Sequence, residues 1–246
     1  KEQIKMLIKL ENPALVSKAI ELISELVTEV RLKVSEFGLG ITAIDPANVA
    51  MVSFKIPRSS FSHFEADKEV LGVNLDSLKQ ILKRCSAGSS LTFERKENFL
   101  NIQIQDRIKR NFTLSLIDIE SDDKEMPTLE YSSKIEIDSV DLIASVEDCA
   151  VVADSCSFIV QDRKFVIEAR GLNSARAEFS GDEARIEAEN CKSKYSIEYL
   201  SKFIKGAKLS NKTTLRFAED HPLRMDVRTD SLELSFLLAP RVETED

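Results

Sequence analysis

At 246 residues the chain is long for one ordinary core and fits two domains. With 43% apolar and 31% charged residues, seven Gly and six Pro, it falls in the globular range, away from disordered and collagen-like compositions. A net charge of −8 argues against a nucleic-acid partner unless the cations gather on one surface.

Along the chain, Asn12-Pro13 stands ahead of a helical apolar period from Ala14 to Val27, which predicts a first helix with a capping residue before it. Strands are expected at Arg31 to Ser35 and Leu39 to Ala43, joined by the turn Glu36-Phe37-Gly38. Asp45 before Pro46 reads as a turn opener through its side-chain oxygen. Asn74 to Lys83 reads as a short amphipathic helix, followed by an alternating strand at Leu91-Thr92-Phe93. Arg110 to Leu116 alternates apolar and polar residues and predicts a strand whose edge pairs with another chain. Asp118 to Pro127 is acid-rich and carries a Pro unsuited to a central strand, so 118–131 is expected to connect a domain at 1–117 to a second at 132–246.

The second half repeats the first. Asp138-Ser139 precedes a helical pattern from Val140 to Val151, strands follow at Phe158 to Gln161 and Phe165 to Ala169 about the turn Asp162-Arg163-Lys164, and Ser196 to Lys205 matches Asn74 to Lys83 in apolar pattern. Leu215-Arg216-Phe217 then stands where Leu91-Thr92-Phe93 stood. The expected fold class is α+β: a duplicated domain of antiparallel sheets with its helices grouped on one side.

The repeat also organises the charge. The second helix carries Lys79, Lys83 and Arg84, and the fourth carries Lys202, Lys205 and Lys208 with Lys212 just beyond. The first helix adds Lys18 among Glu21, Glu25 and Glu29, whereas the third is acidic, with Asp141, Glu147 and Asp148. A lysine on a helix is commonly just a solvated face, but equivalence across the repeat favours a shared surface. Separated lysines without interleaved aromatics suit phosphate contact, and the inference is sequence-independent contact with duplex DNA.

Catalytic signatures are missing from the sequence. His63 and His221 pair with no nucleophile motif and read as surface or internally satisfied residues. Gly38-Leu39-Gly40 lacks the third glycine of a dinucleotide loop, and no phosphate-cradling GxxxxGK[ST] occurs, so no nucleotide cofactor is expected. Cys85, Cys149, Cys156 and Cys191 lie far apart without a CxxC pair; buried, reduced thiols and no metal site are expected. No apolar run approaches the roughly 18 to 20 residues that span a bilayer, and Lys1 to Lys5 opens no signal-peptide core, so the expectation is a cytoplasmic protein, or a nuclear one if the source is eukaryotic, with no membrane partner.

Three stretches together resemble the proliferating cell nuclear antigen sliding clamps, the archaeal members most. They are Leu39 to Val52 (LGITAIDPANVAMV), Gly72-Val73-Asn74-Leu75 leading into Lys79 to Arg84, and Phe236 to Glu243 (FLLAPRVE). The resemblance implies a trimeric ring, from three identical chains or from paralogues. Its four helices per subunit line a central hole for duplex DNA, with sheets outside. It implies a non-enzymatic processivity factor that tethers DNA polymerase, flap endonuclease and DNA ligase through clamp-binding peptides, placed on DNA by a clamp loader. By position, the DNA-facing residues are Lys18, Lys79, Lys83, Arg84, Lys202, Lys205, Lys208 and Lys212. The subunit interface joins Arg110, Phe112 and Leu114 to a neighbour's Ala175, Ala177 and Phe179. The client-peptide pocket comprises Ile44, Asn48, Val49 and Met51, then Met126, Pro127 and Tyr131, then Leu237, Leu238, Ala239, Pro240 and Arg241. Lys124 and Leu237 depart from the better-known relatives' apolar and aromatic residues, which bears on client preference, and the acidic third helix departs from their basic pattern. A checkpoint-type clamp of the same fold, acting as a damage-signalling scaffold, is the alternative; an enzyme of unknown chemistry is a third.

Overall fold

The structure is a computed structural model that describes residues 6–120 and 124–242. The N-terminal Lys1 to Lys5, the connector residues Ser121 to Asp123 and Glu243 of the terminal run lie outside the described residues.

The first half runs β1 (Met6–Leu10), α1 (Ala14–Ser24), β2 (Glu29–Ser35), β3 (Gly38–Ile44), β4 (Ala50–Pro57), β5 (His63–Ala66), β6 (Glu69–Asn74), α2 (Leu75–Leu82), β7 (Ser90–Lys96), β8 (Phe99–Gln105) and β9 (Lys109–Ser115). The second runs β10 (Ser133–Asp138), α3 (Ser139–Val152), β11 (Ser155–Gln161), β12 (Lys164–Arg170), β13 (Ser174–Phe179), β14 (Ala184–Ala188), β15 (Cys191–Ser196), α4 (Ile197–Ala207), β16 (Lys212–Phe217), β17 (Leu223–Arg228) and β18 (Glu233–Leu238). The two halves match element for element, as the duplication in the sequence requires. Two compact units form: Lys1–Pro46, Val52–Glu125 and Asp230–Glu233 in one, and Ala47–Met51, Met126–Thr229 and Leu234–Asp246 in the other.

In the first unit the strand orders are β5-β1-β7-β8-β9 and β6-β2-β3-β4; in the second they are β14-β10-β16-β17-β18 and β15-β11-β12-β13. The pairings repeat too. β1 lies antiparallel to β5 and β7 as β10 does to β14 and β16, and β2 pairs with β6 as β11 does with β15. Within each unit the helices lie side by side, α1 with α2 and α3 with α4.

Strand alternation and helical spacing build each core. Met6, Ile8 and Leu10 of β1, Leu100, Ile102 and Ile104 of β8, and Leu75, Leu78 and Leu82 of α2 are buried together in a largely aliphatic first core. The second core is aromatic: Phe158 meets Phe165, Tyr195 and Phe217 edge to face, and Phe203 stacks on Phe236 at 4.4 Å between ring centroids. Full burial of such side chains contributes roughly 1.5–3 kcal/mol each.

Two glycines are fixed by geometry. Gly38 takes φ +133° at the β2–β3 turn, where an added Cβ would lie 2.0 Å from the Ile56 carbonyl oxygen. At Gly72 in β6 a Cβ would meet the Ile117 oxygen at 2.0 Å, because the Ile117 N–H donates to the Gly72 carbonyl at 2.9 Å and draws the start of the connector across the strand. Gly72→Ala is therefore expected to cost about 1–3 kcal/mol through forced separation of the two backbones. Calorimetry checks this as a lowered Tm, and an unchanged Tm contradicts it.

Two details differ from the sequence reading. α1 ends at Ser24 rather than Val27, because the Leu26 and Val27 N–H groups both close onto the Ile23 carbonyl in a tight final turn; both side chains remain buried. The N-cap of α1 is Pro13, not Asn12, whose Oδ1 accepts from the Ala14 N–H at 3.5 Å.

Candidate nucleic-acid interface and docking surfaces

The two equivalent helices present their cations by the same local logic. Asn74 caps α2, its side chain accepting from the Ser77 N–H at 3.0 Å, and Leu75, Leu78 and Leu82 turn inward, which leaves Lys83 and Arg84 exposed at the C-terminal end. Lys205 lies in the last turn of α4, and Lys208 stands at its C-cap; both are exposed. Cations at these ends also complement the helix dipoles.

Several of the expected DNA-facing cations lie beside acids. Lys79 is half-buried and 3.5 Å from Asp76, Lys83 reaches Glu21 of α1 at 3.3 Å, and Lys212 pairs with Asp138, whose carboxylate raises the lysine pKa through a hydrogen bond and charge. Lys202 lies 5.6 Å from the centroid of the Tyr199 ring. Lys18 is exposed on α1, and on α3 Glu147 and Asp148 are exposed with Asp141 half-buried. The helices thus carry mixed charge, with the cations concentrated on α2 and α4.

A clasp fixes the end of α2. Asp106, after β8, accepts from the Ser89 and Ser86 hydroxyls and from Arg110 Nη2, and Arg110 Nη2 also donates to the Arg84 carbonyl at 3.0 Å. The Ser89 hydrogen bond foremost, with those from Arg110 and Ser86, holds the Asp106 carboxyl below its ordinary range. Arg110, read from sequence as an interface residue, is committed in this way to its own unit.

β9 is an edge strand of the first unit's sheet and β13 of the second's. Phe112, Ala175 and Ala177 are half-buried along these edges. Leu114 and Phe179 are buried within their own units, Phe179 stacked on Phe165, so they hold the edges in place instead of offering contact surface.

The pocket residues divide similarly. Asn48 (φ 59°), Pro127, Ala239 and Arg241 are exposed, and Ile44, Val49, Met51, Met126, Tyr131 and Pro240 are half-buried. Except for Ile44, these belong to the second unit. There the Ala239 N–H donates to the Val49 carbonyl at 3.0 Å, and the Arg241 N–H to the Lys194 carbonyl at 2.7 Å, which lays the C-terminal segment between the 47–51 loop and β15. Leu238 is a correction: alternation along β18 puts it with Leu234 and Phe236 at 0% exposure in the core, whereas Leu237 lies on the opposite face at 9%.

Two residues were missed by the sequence reading. Leu129 is half-buried in the same segment as Met126 and Tyr131. His221 is neither a surface nor a fully satisfied histidine: its ring meets Tyr131 edge to face at 5.4 Å between centroids, and its Nε2 is buried without a partner. An apolar residue in a connector carries no sequence signal of its own, and His221 precedes Pro222 in what reads as an ordinary turn. His63 is half-exposed and lies 3.5 Å from Glu65. Cys149, Cys156 and Cys191 are buried, and Cys85 is half-buried. Asp45 is buried just before the Pro46–Ala47 turn. Among the described residues no group of three His, Cys, Asp or Glu side chains is placed to hold a metal, and no helix is long and apolar enough to cross a membrane.

Two family models cover the chain, "Proliferating cell nuclear antigen, N-terminal domain" over residues 6–125 and "Proliferating cell nuclear antigen, C-terminal domain" over 125–242. A Pyrococcus horikoshii protein described as a DNA polymerase sliding clamp is 36% identical over 235 residues, covering 92% of this chain and 94% of that protein. The Thermococcus kodakarensis "DNA polymerase sliding clamp 1" is 36% identical over 228 residues, covering 89% and 92%. The crystal structure of the Entamoeba histolytica proliferating cellular nuclear antigen shares the fold, with a TM-score of 0.91 at 23% identity over 98% of this chain and 100% of that one. Matched at both domains and along nearly its whole length, the chain belongs to the proliferating cell nuclear antigen family.

Proposed function

We propose that the chain is a DNA sliding clamp, a ring-forming processivity factor that encircles duplex DNA and tethers polymerase to it without catalysing a reaction. The observation that carries this reading is the equivalent placement of exposed cations at the C-terminal ends of α2 and α4, in a chain whose 36%-identical relatives are described as DNA polymerase sliding clamps. Three subunits close head to tail, the β9 edge of one adding to the β13 edge of the next, a heterologous contact that leaves neither edge unpaired once the ring is complete. The domains divide at the 118–131 connector.

Weak phosphate contact suits this work. A closed ring cannot leave DNA sideways, so Lys18, Lys79, Lys83, Arg84, Lys202, Lys205, Lys208 and Lys212 need only weak, sequence-independent phosphate contacts that permit sliding along the axis, and their acidic neighbours moderate the attraction. The half-buried apolar residues of the second unit, Val49, Met51, Met126, Leu129 and Tyr131, together with the more deeply buried Leu237, form the surface that captures client peptides. The partners are a clamp loader and clients of the polymerase, flap endonuclease and ligase classes, met where the DNA is, in the cytoplasm of a cell without a nucleus.

Lys83→Glu combined with Lys205→Glu tests the DNA face. The first change sets two carboxylates against each other where Lys83 now meets Glu21, and both reverse charge toward phosphate. Loading and stimulation of polymerase are expected to fall about tenfold or more, at an unchanged assembly mass. Undiminished stimulation would remove these helices from the DNA path.

A further inference from the structure

Among the described residues two buried side-chain polar atoms have no hydrogen-bond partner, the Tyr131 hydroxyl oxygen and His221 Nε2. They belong to neighbouring rings, which meet at 81° edge to face instead of bonding. Buried polar atoms are nearly always satisfied, so two open ones in the same place mark a position where a partner belongs.

The backbone around the pair is fixed. The His221 carbonyl accepts from the Tyr195 hydroxyl at 2.6 Å and from Ser193 Oγ at 3.2 Å. These donors lie on β15, the strand to which the C-terminal segment is pinned through Arg241 and Lys194. Tyr131 ends the stretch that begins with Met126 and Pro127, so both rings stand among residues assigned above to client capture. Burial, foremost, raises the Tyr131 pKa, with Arg224 and Arg216 opposing and Asp226 adding, so the hydroxyl keeps its proton and both donates and accepts. An imidazole nitrogen likewise donates or accepts according to tautomer.

We propose that Tyr131 and His221 form a polar floor to the client pocket, selecting clients whose buried anchor residue carries a hydrogen-bonding group, a tyrosine hydroxyl over a bare phenyl ring. This rests on the pocket reading above. When such an anchor enters, Tyr131 turns away from His221, giving up an edge-to-face contact and gaining hydrogen bonds for both open atoms. A phenyl anchor covers the same atoms and leaves them unpaired, which is how a polar site rejects an apolar analogue.

The test is calorimetric titration of the intact chain with two synthetic clamp-binding peptides that differ only in a Tyr or Phe anchor. The Tyr peptide is expected to bind about tenfold more tightly. In Tyr131→Phe, which removes one oxygen and leaves the ring, and in His221→Leu, the ratio of Tyr-peptide to Phe-peptide affinity is expected to shrink to about twofold or less. Equal binding of both peptides to the unaltered chain, or a preference that persists in both variants, overturns the polar floor. If both peptides bind but the preference is absent, the pocket stands and the floor fails; if neither binds, both fall.

Discussion

Phe112→Asp is expected to leave the subunit folded and to abolish assembly. Phe112 is half-buried on an edge strand whose neighbour on one side is β8, and a carboxylate there stays hydrated as long as the edge is open. Once a neighbouring β13 covers it, the charge is buried beside Ala175 and Ala177, which offer it no partner. Burying an unpaired carboxylate costs several kcal/mol, so the subunit association constant falls about a thousandfold or more. Light scattering reads this as a shift to the 27.7 kDa mass of one chain, with circular dichroism and Tm close to those of the unaltered protein. Assembly at full mass would mean that the rings close through other surfaces.

Met51→Ala with Leu237→Ala carries the next largest effect, on client binding. Both side chains keep some surface in the second unit, where apolar anchors dominate peptide capture, and their loss is expected to weaken a clamp-binding peptide by about tenfold to a hundredfold. Leu238→Ala is the contrast. Its side chain is wholly within the core, so the change opens a cavity and costs about 2–5 kcal/mol of stability. Titration and calorimetry in parallel separate the two: the double variant loses affinity along with some Tm, because Leu237 is itself largely buried, whereas Leu238→Ala loses Tm with little change in affinity. An unaltered dissociation constant in the double variant would move the pocket elsewhere.

The duplication was legible because it is written locally. The apolar spacing of Asn74 to Lys83 and Ser196 to Lys205 specifies two amphipathic helices, and hairpins such as Asp162-Arg163-Lys164 declare themselves by turn chemistry. The end of α1 was not, since Leu26 and Val27 continue the apolar period although the Glu25 and Leu26 N–H groups have already tightened to carbonyls three residues back. Nor was the split between Leu237 and Leu238, because consecutive leucines in a strand face opposite ways and nothing in the pair says which is inward. The moderated charge of α2 escaped for a related reason. Lys83 meets Glu21 from another helix, a pairing that only the packing of α1 on α2 creates. The Tyr131–His221 pair joins residues far apart in sequence and has no local signature at all.

Encirclement is the claim from which the rest follows, and retention on DNA of two topologies tests it most directly. The clamp is loaded by its clamp loader and ATP onto a nicked circular plasmid, separated from free protein by gel filtration in high salt, and followed before and after a restriction enzyme linearises the plasmid. A ring held by topology stays with the circle and runs off once the DNA has ends. Equal retention on circular and linear DNA, or loss from both at the same rate, would contradict it.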